Sequence, residues 1–289
     1  MSKKVLVLGA QGMAGHVIVN YLEEKTNYEV TGLARGLFGS RNHVTMDVAD
    51  TEALEQLIAA RQFDVVINGI GILNQDAESN ADKAVWFNSY FPHLLERWGK
   101  QYDFKLVHIS TDCVFSGKSS GGYTEQSFKD GIGFYAQSKA LGEVVNDKDL
   151  TFRTSIIGPE LKQNGIGLFH WFMGQPDGQT INGYTEAYWT GVTTILLAEA
   201  IHNALEQDLR GLYQLVNGSK ISKYDLVGLF NTYFRDNAIH ITPYDAYKVD
   251  KSLKNTRSDF NFIVPGYPQM VADMKCWMDD HDELYPNYK

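Results

Sequence analysis

Seven residues near the amino terminus constrain this chain most: Gly9-Ala10-Gln11-Gly12-Met13-Ala14-Gly15. They follow the apolar run Val5-Leu6-Val7-Leu8 and open a stretch in which Val17, Ile18, Tyr21 and Leu22 recur at helical spacing. A strand, a glycine-rich turn and a helix start in direct succession form the arrangement that holds a dinucleotide pyrophosphate. Gly9 lets the chain turn sharply. Gly12 removes a side chain where backbone must approach phosphate, and Gly15 lets helix and strand pack closely. The unpaired amides and positive end of the helix then face the anion. Gln11 and Met13, on either side of Gly12, join the three glycines as candidate cofactor contacts. Glycine spacing alone is a weak signal; the β-favouring run directly ahead strengthens it. The alternative is a turn between strand and helix with no ligand.

The rest of the first half continues the pattern. Strand-like runs at 5–8, 28–33, 44–46, 65–68 and 106–110 alternate with helical patterns at 13–24, 51–61 and 82–100. A further helix over 134–146 leads into a strand over 150–155. Such alternation predicts an α/β fold, a Rossmann-type doubly wound parallel sheet. Ligands in these sheets sit at the carboxyl ends of the strands, where Gly9, Asn68 and Ser110 all fall. After Gly158-Pro159 the alternation weakens and Gly, Asn, Tyr and Trp become frequent. Helices are expected at 194–205, 223–234 and 268–281, with a short strand at 212–216. Residues 1–155 therefore read as a dinucleotide-binding Rossmann domain. Residues 156–289 read mainly as a smaller C-terminal substrate-binding lobe, with some segments returning to the Rossmann domain.

Charge narrows the partners. A net charge of -9 argues against a nucleic-acid or anionic-membrane footprint, so an anionic ligand would need local Lys, Arg and helix ends. Cys113 and Cys276 lie far apart with no metal-ligand spacing, and no metal site is expected. No apolar run approaches 18 residues and the chain enters a strand at once, which gives a cytoplasmic expectation. His281-Asp282-Glu283-Leu284 has the letters of a retention signal but stands away from the carboxyl terminus. The sequence shows no internal repeat.

Two further segments carry chemistry. In Tyr135-Ala136-Gln137-Ser138-Lys139, a helix puts Tyr135 and Lys139 at i and i+4 on one face, with Leu141 and Val145 on another, apolar face. A phenol is a poor acid–base group near neutrality, and a neighbouring ammonium is expected to lower its pKa. Such a pair can protonate an alkoxide as hydride reaches a carbonyl carbon. The bland reading is a surface helix pair. In His108-Ile109-Ser110-Thr111-Asp112-Cys113-Val114-Phe115-Ser116-Gly117, a hydroxyl at a strand's end can hydrogen-bond the substrate oxygen beside the tyrosine. Ser110 or Thr111 can equally be a turn or capping hydroxyl.

Together these elements resemble the extended short-chain dehydrogenase/reductase superfamily, and within it the dTDP-4-dehydrorhamnose reductase (RmlD-like) branch, over nearly the whole chain. Ser110 to Gly117 is similar to that branch's Ser-Thr-Asp-Tyr-Val-Phe-x-Gly, Arg153-Thr154-Ser155 to its Arg-Thr-Ser, and Ala77-Glu78-Ser79 to a block ahead of Asn88. The resemblance implies Thr111, Tyr135 and Lys139 as catalytic hydroxyl, proton donor and lysine. Lys139 would also bond the nicotinamide ribose, and Asn88 would support the site. It implies hydride transfer from a nicotinamide cofactor to the 4-keto carbon of a nucleotide-diphosphate-linked 6-deoxy sugar, for deoxysugar and polysaccharide biosynthesis. Asp112 and Cys113 fall with the substrate contacts.

The second strand bears on cofactor choice. NAD-preferring folds place an acid there for the ribose hydroxyls. Here Gly32-Leu33-Ala34-Arg35-Gly36 lacks it and offers Arg35, suited to a phosphate. NADPH is the expectation, NADH the alternative, and an arginine solvated in a loop the bland reading. By resemblance Asp47 lies near the adenine, or it caps the following segment. Asn68 and Gly69 join the cofactor contacts, since the branch's Asn-Ala-Ala-Ala is here Asn68-Gly69-Ile70-Gly71. Asn74-Gln75-Asp76 replaces its Val-Asp-Lys. Trp189 stands where the branch carries Pro-Thr, to stack on base or sugar or simply to pack. Lys251 and Arg257 stand in a segment lacking the branch's Arg-Pro; either is a candidate for the substrate diphosphate or for a solvated basic face.

Other activities fit parts of the same pattern. Cys113 replaces the Glu of the dehydratases, and Arg35 speaks against an NAD-retaining 4-epimerase. An epimerase–reductase resembling GDP-fucose synthases would use Cys113, two residues past Thr111, with His170 as second acid–base group. A non-catalytic NADP-binding regulatory protein, like the regulatory subunit of methionine adenosyltransferase, is the non-enzymatic alternative. Oligomeric state is not legible. A homodimer is the assembly carried from the family, though no acidic pair matches the metal-bridged dimers of some relatives.

Overall fold

Val5, Leu6, Val7 and Leu8 are wholly buried, as a central parallel strand covered by helices on both faces requires. The structure is a computed structural model describing residues 2–36 and 42–288. That strand, β1 (Lys4–Leu8), joins β2 (Glu29–Ala34), β3 (His43–Thr45), β4 (Val65–Asn68), β5 (Lys105–Thr111) and β6 (Leu150–Thr154) in a seven-stranded sheet. The seventh member is the strand Gly211–Gln214, and the order is Gly211–Gln214, β6, β5, β4, β1, β2, β3. Every pairing within it is parallel. Leu8 aligns with Leu33 and Asn68, Asn68 with His108, and Thr111 with Thr154, so the carboxyl ends share one edge. The chain leaves β1 toward β2 on one side and returns at β4 on the other. The crevice between those two strand ends is the ligand position of such sheets.

Alternation along the strands divides the core in two. Val5 and Val7 pack with Val17, Ile18 and Leu22 of α1 (Met13–Lys25) and with Leu197, Ala198 and Ile201 of the helix Thr194–Glu206. Leu6 and Leu8 pack with Leu54 and Ile58 of α2 (Thr51–Arg61) and with Leu94, Leu95 and Trp98 further on. Each such aliphatic side chain, moved from water to core, contributes roughly 1.5–3 kcal/mol.

The expected helix over 82–100 is three pieces. After α3 (Asn74–Ser79) come α4 (Ala81–Ala84), a π-helical turn Val85–Tyr90, and α5 (Phe91–Tyr102). The wide turn carries Asn88 and Ser89, both buried against α6 (Phe134–Leu141). The expected helix over 134–146 stops early, at Leu141. Gly142 lies against Asn88, and a Cβ there would run into the Asn88 carbonyl oxygen. With the helix ended, Leu141 and Val145 are 68% and 62% exposed, so the apolar face expected for them does not form.

Beyond β6, the helices Thr194–Glu206, Lys223–Phe234 and Tyr267–Asp280 and the returning strand Gly211–Gln214 stand close to the expected spans. The sequence did not reveal the helix Leu168–Met173 or the short pairings around it. Thr180–Tyr184 pairs with His240–Tyr244, and Ala187–Trp189 with Ile221–Ser222 and Val249–Asp250. Strands of two to five residues are too short to show an alternation. Among the described residues no helix is long and apolar enough to cross a membrane.

Candidate active site

The glycine turn is built for close backbone approach. Gly9 has φ +81, and the amides of Gly9 and Ala10 both donate to the Leu33 carbonyl at 3.0 Å. A Cβ on Gly15 would collide with the Gly9 carbonyl, and one on Gly9 would stand 3.3 Å from the Gly69 carbonyl carbon. Only glycine fits where β1, α1 and the end of β4 meet. Helix α1 follows Gly12 with no side-chain cap. A glycine-rich turn beside a helix start with no side-chain cap fits a pyrophosphate. Gln11 packs over Gly36, and Met13 lies beside Gly167. Arg35 is exposed directly after β2. Asp47 is exposed and accepts from the Ala49 amide at 3.0 Å, the local capping role. Asn68 is buried; it accepts from the Ile70 amide at 3.1 Å and donates to His108 Nδ1 at 3.2 Å, shaping the turn into Gly69.

Thr111 ends β5, Tyr135 stands in the first turn of α6 and Lys139 one turn later. The Tyr135 phenol lies near the Thr111 hydroxyl. Thr111 accepts from the Cys113 amide at 3.1 Å and donates to Asp112 Oδ1 at 3.2 Å, so its hydroxyl caps the turn that follows β5. The neighbouring hydroxyl is committed elsewhere, since Ser110 donates to Glu143 Oε1 at 2.7 Å. Lys139 is buried and donates to the Ile109 carbonyl at 2.7 Å. Burial lowers it to about 8, with Glu143 opposing. Burial pushes the Tyr135 phenol up, as does the nearby Cys113, while the nearby Thr111 hydroxyl opposes. That corrects the expectation of a lowered phenol: desolvation outweighs the local stabilisation of phenolate.

Two carboxylates to which the sequence assigned no role frame this helix. Glu143 is buried and held bidentate by Arg153 at 2.7 Å through each nitrogen, with Lys129 at 3.0 Å. Burial pushes its carboxyl up, but Arg153 and Lys129 hold it below the ordinary value. Its place four residues past Lys139 was the available signal. Glu78 accepts from the amides of Phe134 and Tyr135, a contact no local pattern announces. Asn88 accepts from the Ile72 amide at 2.8 Å and donates to Ser138 Oγ at 3.0 Å, bracing α6 from its side.

Cys113 and Lys251 reach this cluster. Lys251 Nζ lies 3.6 Å from Cys113 Sγ, and burial pushes the thiol up to about 11. Asp112 is buried and its carboxyl is raised, burial outweighing the nearby Lys251. Trp189 does not join them; it is buried in the core against Tyr267, ring centroids 5.8 Å apart, so packing is its role. Arg257 is also elsewhere, at the amino end of Gly211–Gln214. There it pairs with Asp259 and donates to the carbonyls of Arg210 and Leu212, at the opposite sheet edge from Thr111. His170 has both ring nitrogens engaged, one by the Tyr288 hydroxyl at 2.8 Å and one by the Gln163 carbonyl at 3.2 Å. A cleft of about 530 Å³ opens between 214–220 and 252–255 and includes none of Thr111, Tyr135 or Lys139. The candidate site follows from the chemistry of those three residues, not from the size of a cleft. Among the described residues no cluster of three or more His, Cys, Asp or Glu is set to hold a metal ion.

A doubly wound parallel sheet with a glycine crevice at its switch point, and a Thr-Tyr-Lys group beside it, defines an extended short-chain dehydrogenase/reductase. The RmlD substrate binding domain model matches residues 3–258, and the chain belongs to that family. The spore coat polysaccharide biosynthesis protein SpsK of Bacillus subtilis is 35% identical over 145 residues, 48% of this chain and 47% of that protein. The probable low-salt glycan biosynthesis reductase Agl14 of Haloferax volcanii is 27% identical over 230 residues, 76% of each. The match thus spans about half of the first relative and three quarters of the second. The crystal structure of a hypothetical dTDP-4-dehydrorhamnose reductase from Sulfolobus tokodaii has a TM-score of 0.77 at 26% identity, covering 91% of this chain and 98% of that one. That of dTDP-4-dehydrorhamnose reductase from Bacillus anthracis in complex with NADP has a TM-score of 0.80 at 19% identity, covering 96% and 99%, a likeness of fold.

Proposed function

We propose that this chain reduces the 4-keto group of a nucleotide-linked 6-deoxy sugar with NADPH, as a dTDP-4-dehydrorhamnose reductase does. The observation that carries the reading is Thr111 at the end of β5 near Tyr135, with Lys139 one helical turn further along α6, at the sheet edge where the glycine turn also lies. Residues 1–155 then serve mainly the cofactor and 156–289 mainly the sugar nucleotide. A cytoplasmic setting and a homodimer belong to the same proposal.

In this reading the amides of α1 bind the pyrophosphate, at a turn whose Gly9, Gly12 and Gly15 admit it. Arg35, exposed past β2, takes the 2′-phosphate. The bound cofactor supplies hydride to the keto carbon. Thr111 orients the carbonyl, and Tyr135 donates the proton to its oxygen; a phenol held protonated by burial is in the right state to give one. Lys139, held at the Ile109 carbonyl, hydrogen-bonds the ribose and stabilises the phenolate left behind. Lys251, beside Cys113, is the candidate for an anionic group of the substrate.

Cys113 beside Tyr135 favours the epimerase–reductase as a second reading. A thiol at about 11 can give a proton but rarely take one near neutrality, and His170 is already tied to Tyr288. Following NADPH absorbance with a panel of 4-keto-6-deoxy sugar nucleotides tests the proposal. Tyr135→Phe should lower kcat by roughly 10²–10⁴-fold while NADPH binding persists. Wild-type protein that binds NADPH yet turns over none of the panel would shift the reading to a regulatory protein.

A further inference from the structure

Helix α6 has eight residues and carries Tyr135 second among them. The first amides of a helix lack intrahelical acceptors and need one from outside. The residue before the helix supplies none: Gly133 has no side chain and a φ of +92, away from the extended backbone of an ordinary capping residue. The acceptor comes from α3. Glu78 Oε2 accepts from the Phe134 amide and Oε1 from the Tyr135 amide, both at 3.1 Å. A Cβ at 133 would stand 2.6 Å from Glu78 Oε1, so the glycine keeps that approach open. The corner behind Glu78 is braced as well. Asp76 accepts from Asn80 Nδ2 at 2.8 Å and from Lys83 Nζ at 2.6 Å.

We propose that Glu78 is a positioning residue for Tyr135, its carboxylate fixing the first two amides of α6 and thereby holding the phenol at Thr111. The carboxylate suits the task twice, as an acceptor for two N–H groups and as negative charge at the positive end of a helix. It touches no reacting atom and acts through backbone alone. Asn88 bonds both Ile72 and Ser138, so the segment after Gly69 is tied to α6 through that side chain as well as through Glu78.

The kinetic half of the test rests on the reductase reading; the exchange half does not. The full chain, Glu78→Ala, Glu78→Gln and Gly133→Ala are compared by amide hydrogen exchange over 134–139 and by steady-state kinetics with NADPH and a 4-keto-6-deoxy sugar nucleotide. Glu78→Ala should speed exchange at Phe134 and Tyr135 about tenfold. It should lower kcat roughly ten- to a hundredfold, with KM for NADPH within about twofold. Gly133→Ala, which displaces the carboxylate, should do the same, and Glu78→Gln should recover part of both effects. Unchanged exchange in Glu78→Ala overturns the cap. Faster exchange with unchanged kcat overturns the positioning role. If the wild type turns over nothing, the function proposed above fails while exchange still decides the cap.

Discussion

Helices α1 and α6 both begin after a glycine and both carry the proposed chemistry in their opening turns, but their amino ends are finished differently. At α1 no side chain caps Gly12; the nearby ring of His16 bonds the Gly12 carbonyl at 2.8 Å and leaves the amide side alone. At α6 the Glu78 carboxylate takes two amides. A helix start attracts negative charge in either case. In the proposed function, one is kept for a phosphate that comes and goes. The other is filled permanently, so that Tyr135 has a fixed seat. The glycines differ to match: Gly15 is needed because backbone lies where its side chain would be, Gly133 because a side chain from another helix does.

The sharpest way to break this comparison is Gly15→Ala. Its Cβ would meet the Gly9 carbonyl and the Ala10 Cα, backbone that cannot swing aside. Overpacking of this kind costs about 1–3 kcal/mol and at times more, and here it also deforms the phosphate turn. Urea denaturation should show a loss at the top of that range, and NADPH binding should disappear. Retained binding with near-native stability would mean that the turn is looser than described and α1 no different from α6.

A second test concerns charge. Each helix carries a buried base: His16 in the first turn of α1, lowered by burial to about 4, and Lys139 in the last turn of α6, lowered by burial to about 8. His16 is therefore neutral at the crevice near neutrality, while Lys139 is charged below pH 8 and discharged above it. If the ammonium serves the reaction, kcat should hold to about pH 8 and then fall roughly tenfold per unit, near a hundredfold by pH 10. The groups facing Lys139 are His108 on β5, which is buried and neutral, and Glu143, already neutralised by Arg153. A profile flat through pH 9 would remove the ammonium from the mechanism.

The two helices also show how far a sequence can be read. The start of α1 was legible because all its determinants are local, four buried aliphatics and three glycines within eleven residues. The Tyr135–Lys139 face was legible for the same reason, by its i, i+4 spacing. What fixes that face was not. Glu78 lies 57 positions from the amide it caps, and Gly142 ends the helix because of Asn88, 54 positions upstream. Such contacts leave no periodic trace. The substrate candidates fared unevenly on the same ground. Thr111 ends the strand that reaches the site and Cys113 follows it in the short turn Asp112–Val114, whereas Arg257 is turned to the far end of the sheet by Asp259 and two carbonyls.

The smallest expected effect sits at the rim of the α1 crevice. Arg35 is exposed, so a contact with a 2′-phosphate is screened by water and salt and contributes a modest energy, of order 1.5 kcal/mol for a charge-assisted bond. Arg35→Asp replaces that donor by a carboxylate at the end of β2, which repels the phosphate and accepts from the ribose hydroxyls. NADPH affinity should fall roughly tenfold, with NADH changed much less, and raising salt should narrow the wild-type preference. Binding titrations with both cofactors in the two proteins read this directly. An unchanged ratio would assign the NADPH preference to the amides of the turn alone, and would make the open start of α1, rather than any side chain beside it, the whole of the anion site.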